Sequence, residues 1–426
     1  MTEDPTRTMP RSPRWRRWLR RAAVLACLPP LLLFVLLAVS IAALAPLEEA
    51  VSFDTAAAQG ISFTLPSRVV PGPGLPADLE IQSSNNVVDL TCYRGEYFLA
   101  FRTGPTHYAS AKARIVVLRS ADQARWELET ALDLSGADLR EPRFLEYRGK
   151  LILYFIKAGN KFYWFEPEGI FATERLQEGR WSEPVSIFKP GYIVWRARVH
   201  DGVAYMSVYH GEGLYNLFNP AGEVRLLTSA DGYDWKPISD APQVVDAGAE
   251  EADFEFDAAG NLVAVVRLEM EGGMVCRASK DRLDQWDCEF TPYKYDSPFL
   301  LRRGNAFYVV ARRNVSGAYH RGWDALPDPL ERGCYLLRYA FTRKRTSLFR
   351  LDPDSMSLAP LLDFPSCGDT AYAALSPLGE SAYYMVYYST DIGGRDWPWT
   401  LGQVIGCNIY ETVLRFPGTA GKLQQE

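Results

Sequence analysis

From residue 85 onward, apolar and polar positions alternate in short runs separated by Gly, Asp, Asn and Pro. A period of two puts one face of each run on a core, which is the signature of half-buried strands. No segment of this region carries a convincing 3.6-residue stripe, so the body is expected to be all-β. The runs group into six units. Each opens on polar residues: Asn86 to Asp89, Arg140-Glu141-Pro142-Arg143, Trp195-Arg196-Ala197-Arg198, Glu251-Ala252-Asp253, Asp296-Ser297-Pro298 and Asp369-Thr370-Ala371-Tyr372. Each continues into an apolar second strand, at 97–102, 151–157, 204–210, 262–267, 306–312 and 382–388. Units of about 50 residues with several strands and periodic aromatics predict a six-bladed β-propeller over residues 85–416, followed by a short tail at 417–426. A further strand-like run at 61–70 can complete the sixth sheet and protect its edge.

A second series runs in phase with the first. Ser120-Ala121-Asp122 precedes Trp126, Ser229-Ala230-Asp231-Gly232 precedes Trp235, and Ser279-Lys280-Asp281 precedes Trp286. A degenerate copy spans Thr173 to Trp181. In a tight turn the Ser hydroxyl and Asp carboxylate accept hydrogen bonds from backbone N–H groups. The Trp then packs back into the sheet.

The N-terminus bears on compartment. Seven Arg fall within residues 1–21, and an uncharged stretch follows from Ala22 to Ala45. As a helix that stretch spans roughly 36 Å, enough for a hydrocarbon core of about 30 Å. A cleaved signal peptide has a shorter apolar region, and Pro46 follows the Ala43-Leu44-Ala45 site directly. The expectation is an uncleaved single-pass signal-anchor at 22–45, with the basic tail 1–21 in the cytoplasm. The body then lies outside the cytoplasm, in the periplasm or extracellular space. Residues 46–84, with Pro71-Gly72-Pro73-Gly74, read as a linker that also carries the strand-like run.

Composition narrows the function. With 47% hydrophobic and 13% aromatic residues the chain is not disordered. The net charge of -6 coexists with that basic tail, so the body is acidic and no nucleic-acid partner is expected. Outside the apolar stretch stand Cys92, Cys276, Cys288, Cys334, Cys367 and Cys407, an even number that suits an oxidising compartment. Cys276 and Cys288 flank a short turn and can face each other across a hairpin. There is no CxxC and no zinc-like Cys/His spacing, so neither metal nor cofactor is expected. Asp-rich loops leave room for calcium. Asn314-Val315-Ser316 fits an N-glycosylation acceptor.

The fold leads to a site. The innermost strands of a propeller line one channel, so the polar openings converge at one end of it. They supply Arg140, Arg196, Glu251, Asp369 and Tyr372. The second strands end near Arg102, Arg267 and Arg312. Such charges either pair and hydrate an idle channel or meet a ligand. Trp397 and Trp399, beyond Asp391 to Asp396, read as a long loop over the rim.

The Ser-x-Asp…Trp turns resemble the Asp-boxes of sialidases and related six-bladed glycan-acting propellers. The first two copies place Trp one position early, and the third lacks its Gly. The segment Glu251 to Gly260 to Arg267 is similar to the family's spacing of a Glu that assists the nucleophile and an Arg that grips the substrate carboxylate. Thr370-Ala371-Tyr372-Ala373-Ala374-Leu375 looks like the segment carrying the nucleophilic tyrosine. Leu139-Arg140-Glu141-Pro142 resembles, in the second unit rather than the first, the Phe-Arg-Ile-Pro signature of another clamp Arg. The resemblance implies a third clamp Arg among Arg302, Arg303, Arg312 and Arg313. It also implies an acidic sugar as substrate. The family's acid/base Asp has no clear counterpart, and Asp369 reads as that acid, as a group that orients Tyr372, or as a turn residue. Three Arg can hold a carboxylate by paired, charge-assisted bonds. A neutral phenol beside a Glu base can attack without charge repulsion. A propeller that binds glycan or protein in the same channel without catalysis is the rival reading.

Overall fold

The computed structural model describes residues 28–29, 31–35 and 50–417, apart from 162–165, 212–215, 219, 247 and 320–325. The signal-anchor expected at 22–45 lies largely outside these. Residues 28–29 and 31–35 are helical, and no helix among the described residues is long and apolar enough to cross a membrane.

The body from residue 50 consists of six antiparallel sheets, here blades I to VI. Their inner strands are Ser84–Tyr93, Asp138–Tyr147, Tyr192–His200, Ala249–Phe256, Asp296–Arg303 and Thr370–Pro377. Each inner strand packs on those of the two neighbouring blades, and the strand of blade VI returns to that of blade I. That cycle is a propeller. The apolar second strands follow as expected, Glu96–Gly104 in blade I through Ala382–Ser389 in blade VI. Blade VI takes its outer edge from Ser62–Phe63 and Ser67–Val70, which pair with Asn408–Arg415. The 61–70 run therefore covers an edge that would otherwise offer unpaired N–H and C=O groups.

Two of the four repeated turns have the expected chemistry. Ser120 Oγ accepts from Gln123 N at 2.8 Å, and Asp122 Oδ1 accepts from Ala124 and Arg125 N at 2.9 and 2.8 Å. Ser229 and Asp231 repeat the pattern, and Trp126 and Trp235 are buried against the sheets. The third copy folds as a short 3-10 turn, Lys280–Arg282, without a Ser279 side-chain cap. The Thr173–Trp181 span does turn, at 178–179 between Pro167–Gln177 and Arg180–Trp181, but Thr173 lies within the first strand and its hydroxyl donates across to the Ser182 carbonyl at 2.6 Å rather than capping the turn. Cys276 and Cys288 sit opposite each other on adjacent strands and form a disulfide. Asn314 is buried, and its Oδ1 accepts from Thr342 Oγ1 at 2.8 Å, so it is not poised as a glycosylation acceptor.

Two helices depart from the all-β expectation for the body. Helix α1, Asp328–Ala340, is inserted between the second and third strands of blade V. Its buried side chains are Tyr335, Arg338 and Tyr339, while Leu330 is exposed. Leu330, Cys334, Leu337 and Phe341 do recur at helical spacing, but the face that is fully buried is the neighbouring one with Tyr335, Arg338 and Tyr339. Helix α2, Trp399–Ile405, occupies ground read as loop, and Trp399 packs edge-on against Tyr339 of α1.

Candidate active site

One backbone device recurs in every blade. The pairing of each inner strand with its second strand slips once: after Asn86, Arg140, Val194, Glu250, Asp296 and Ala371. A bulge of this kind bends a strand and re-aims a side chain. In five blades the residue after the slip has positive φ: Val87 (52°), Glu141 (56°), Glu251 (42°), Ser297 (50°) and Tyr372 (52°). These are strained conformations for non-glycine residues. In blade III the bulged residue is Trp195.

The bulged side chains meet at the axis. Tyr372 of blade VI lies against Trp195 of blade III, ring centroids 5.1 Å apart and planes tilted by 58°, and those blades face each other across the ring. The Tyr372 hydroxyl donates to Glu141 Oε1 of blade II at 3.1 Å. The Arg143 guanidinium lies 5.2 Å from the Tyr372 ring centre and donates to Glu141 Oε2 at 3.2 Å. Glu251 Oε2 accepts from Ser297 N at 2.7 Å. Tyr372 is 8% and Glu141 6% exposed, narrow access to a mostly enclosed pair.

Burial sets the proton affinities here. It pushes the Glu141 carboxyl up, and Glu251 adds to this, while Arg143 and Arg140 oppose. It pushes the Tyr372 phenol well above its usual value, with Glu141 and Glu251 adding to the effect. Tyr209 lies in the field of the same carboxylates and is raised likewise. A phenol donating to a carboxylate of raised basicity is the arrangement for proton removal at the moment of attack.

Ion pairs tie the inner strands of blades I, III and IV together. Arg196 reaches Asp253 at 3.1 Å and Asp89 at 3.3 Å and lies over the Phe299 ring. Arg143 Nε donates to the Trp195 carbonyl. Arg196 is thus a largely buried clamp on two carboxylates. Arg102 is also engaged: it binds Asp138 at 2.8 and 2.7 Å and the carbonyls of Thr106 and Tyr108, with no exposure. It fastens the loop after its own strand.

Arg267 and Arg312 occupy one repeat position, opposite Glu250 and Asp296 on their inner strands. Arg267 Nη1 donates to Glu251 Oε1 at 2.9 Å, and Nη2 donates to Glu269. Its Nε is 3.0 Å from Glu250 Oε1 and 3.3 Å from Asp296 Oδ1. Arg312 donates to Asp296 Oδ2 at 3.1 Å and lies over the Trp399 ring. Glu251 therefore pairs with Arg267 and Ser297, while the hydroxyl of Tyr372 goes to Glu141. Arg140 lies nearby, its Nη2 donating to the His107 carbonyl at 2.8 Å.

Asp369 has no exposure. Its Oδ2 lies 2.7 Å from His107 Nδ1, and its Oδ1 accepts from Tyr388 OH at 3.1 Å and Trp399 Nε1 at 2.9 Å. Burial alone would raise its carboxyl, but His107, Arg312 and Trp399 outweigh it and hold it low. A carboxyl so enclosed orients His107 and is a poor proton donor. No group of three or more His, Cys, Asp or Glu side chains among the described residues is arranged to hold a metal ion.

Sequence reasoning missed the roles of Glu141, Arg143, Glu250 and Asp296. Their signal was position: Glu141 occupies the same slot in its blade as Glu251 and Tyr372 do in theirs.

No family model and no curated relative matches the chain. Solved structures do. A protein of unknown function from Dyadobacter fermentans matches with TM-score 0.59 and 16% identity, covering 84% of this chain and 100% of that one. The Hadza microbial sialidase Hz136 matches at 0.53 and 12% identity, over 77% of this chain and 65% of its own. Trypanosoma rangeli sialidase in complex with the inhibitor DANA matches at 0.55 and 14% identity, over 83% and 60%. The chain thus spans about three fifths of the length of these sialidase structures. Identities this low establish a shared fold.

Proposed function

We propose that this sialidase-like six-bladed propeller is a glycan-acting protein that cleaves a glycosidic bond at its axis, with Tyr372 as nucleophile and Glu141 as the base that takes its proton. The observation that carries the reading is the 3.1 Å bond between the two, made by bulged residues of non-adjacent blades. As the phenolic O–H bond breaks, the proton passes to Glu141 and the oxygen bonds to the anomeric carbon. The leaving oxygen departs with that carbon's bonding pair and takes a proton from solvent; water then attacks the anomeric carbon and gives a proton to solvent, while the Tyr372 oxygen leaves with its bonding pair and recovers its proton from Glu141. The ring of Trp195 supplies a flat wall beside Tyr372. An N-terminal anchor at 22–45 would hold the body outside the cytoplasm, which the Cys276–Cys288 disulfide supports.

The test is hydrolysis of a fluorogenic glycoside panel by the full chain in detergent. Tyr372→Phe should lower kcat by 100-fold or more with the melting curve retained. A second reading, a glycan-binding propeller without turnover, is favoured by the enclosure of Asp369, which removes the expected acid. Glycan-array binding without hydrolysis by the natural chain would select it.

A further inference from the structure

With Asp369 enclosed, the leaving oxygen has so far been given its proton by solvent. The loop after the second strand of blade I holds a better donor. Its three successive carbonyls around His107 are bound by two largely buried guanidiniums. Arg102 donates to the Thr106 carbonyl at 2.9 Å and to the Tyr108 carbonyl at 3.0 Å, and Arg140 donates to that of His107 at 2.8 Å. The His107 N–H donates to the Gln403 carbonyl of α2 at 3.0 Å. Loops are ordinarily the mobile part of a fold; this one is fastened on both sides of His107.

The ring is fixed as well. Its Nδ1 lies 2.7 Å from Asp369 Oδ2. Asp369 is held charged, and its other oxygen already accepts from Tyr388 and Trp399. A charged carboxylate only accepts, so Nδ1 carries the hydrogen between them and proton exchange falls to Nε2. Nε2 has no partner among the described residues and is not a buried atom; the side chain is 18% exposed, that of Asp369 not at all. Burial lowers the ring's proton affinity, Arg140 and Arg102 add to this, and Asp369 opposes it. The charged ring is therefore a readier donor than a free imidazolium. The Tyr388 ring stands between His107 and the nucleophile, 6.1 Å from the one and 5.8 Å from Tyr372.

We propose that His107 is the acid/base of this site, donating from Nε2 to the leaving oxygen, with Asp369 as its positioning residue. This rests on the glycosidase reading and puts a protein group where solvent stood. As the bond between anomeric carbon and leaving oxygen breaks, its electron pair goes to that oxygen, which takes the Nε2 proton. In the second half the water oxygen bonds to the anomeric carbon, its proton goes to the neutral Nε2, and Tyr372 recovers its own from Glu141. Each group ends as it began.

The experiment uses the full chain in detergent and two glycosides of whichever sugar the fluorogenic panel selects. Dinitrophenol departs without a proton; methanol needs one. His107→Gln should lower kcat/KM roughly 100-fold for the methyl glycoside and about 5-fold at most for the dinitrophenyl one. Azide, which attacks without a base, should raise kcat of the variant on the dinitrophenyl glycoside and leave the natural chain unchanged. Asp369→Asn should show the same bias at smaller amplitude. Equal losses on both glycosides overturn the inference and leave the glycosidase reading standing. If neither variant folds, the natural chain decides: a shallow dependence of kcat/KM on leaving-group acidity supports an acid at the site, and a steep one overturns it. Hydrolysis of no glycoside by the natural chain overturns the glycosidase reading, and the inference falls with it.

Discussion

Replacing Glu141 by Gln separates the chemistry of the site from its stability. The substitution keeps the shape and an acceptor for Tyr372 but removes the charge that draws the proton. Loss of a positioned base costs roughly 100- to 10,000-fold in rate, or about 2.7–5.5 kcal/mol at ~1.4 kcal/mol per tenfold. The structural cost is smaller. The Arg143–Glu141 bond at 3.2 Å changes from charge-assisted to neutral, a loss of about 1–1.5 kcal/mol. Arg143 keeps the carbonyls of Trp195 and Pro142. Against this, burial holds the Glu141 carboxyl above its ordinary value, so the folded state binds the proton more tightly than the unfolded chain. Stability from this group is complete below the unfolded carboxyl range and falls as pH rises through the folded value. Glu141→Gln abolishes that loss. Hydrolysis should collapse at all pH values, while the melting temperature at pH 7.5 stays close to or above that of the natural chain and at pH 4, where the Glu141 carboxyl is neutral as the amide is, the two converge. Thermal scans across pH, paired with initial rates, check both. Activity within threefold of normal, or a uniform drop in melting temperature at every pH, would refute the reasoning.

Three further outcomes are expected. Val70 is fully buried in the strand that edges blade VI, so Val70→Asp, which buries an unpaired charge, should expose Asn408–Arg415 to trypsin; an unchanged digestion pattern contradicts that placement. The Cys276–Cys288 bond closes a loop of 12-residue separation, worth about 3 kcal/mol in the chain-entropy picture; the double Ser variant should show that loss in denaturant curves, and a natural chain unaffected by reductant would contradict it. Burial lowers the His107 imidazole below its usual value while Asp369 pulls it up; its NMR titration should therefore lie below 6.5 and move lower still in Asp369→Asn, and a rise in that variant would show that the pair is not formed.

What could be read from the chain was what is local. Period-two alternation and Ser-x-Asp turns depend on neighbours a few residues apart, so the six inner and second strands were found in order. The bulges were not, because a slip in register belongs to two strands together and leaves no mark on either alone. Glu141 and Tyr372 are 231 residues apart, and nothing between them announces the bond. Glu251 was given the base role from its spacing to Arg267. The spacing was real, but it describes their ion pair at 2.9 Å. Helix α1 carries apolar residues at helical spacing after Pro327 and was legible, but the reading followed the period-two strands on either side of it.

Blade VI joins strands from both ends of the chain, Ser67–Val70 with Asn408–Arg415. During synthesis the earlier partner must therefore wait until nearly every other residue has emerged. Contacts of such long sequence separation form slowly, and an incomplete sheet is open to pairing with other chains. A ribosome stalled before residue 408 would release a product with five blades and a lone inner hairpin. Quality control should therefore act most strongly on late truncations.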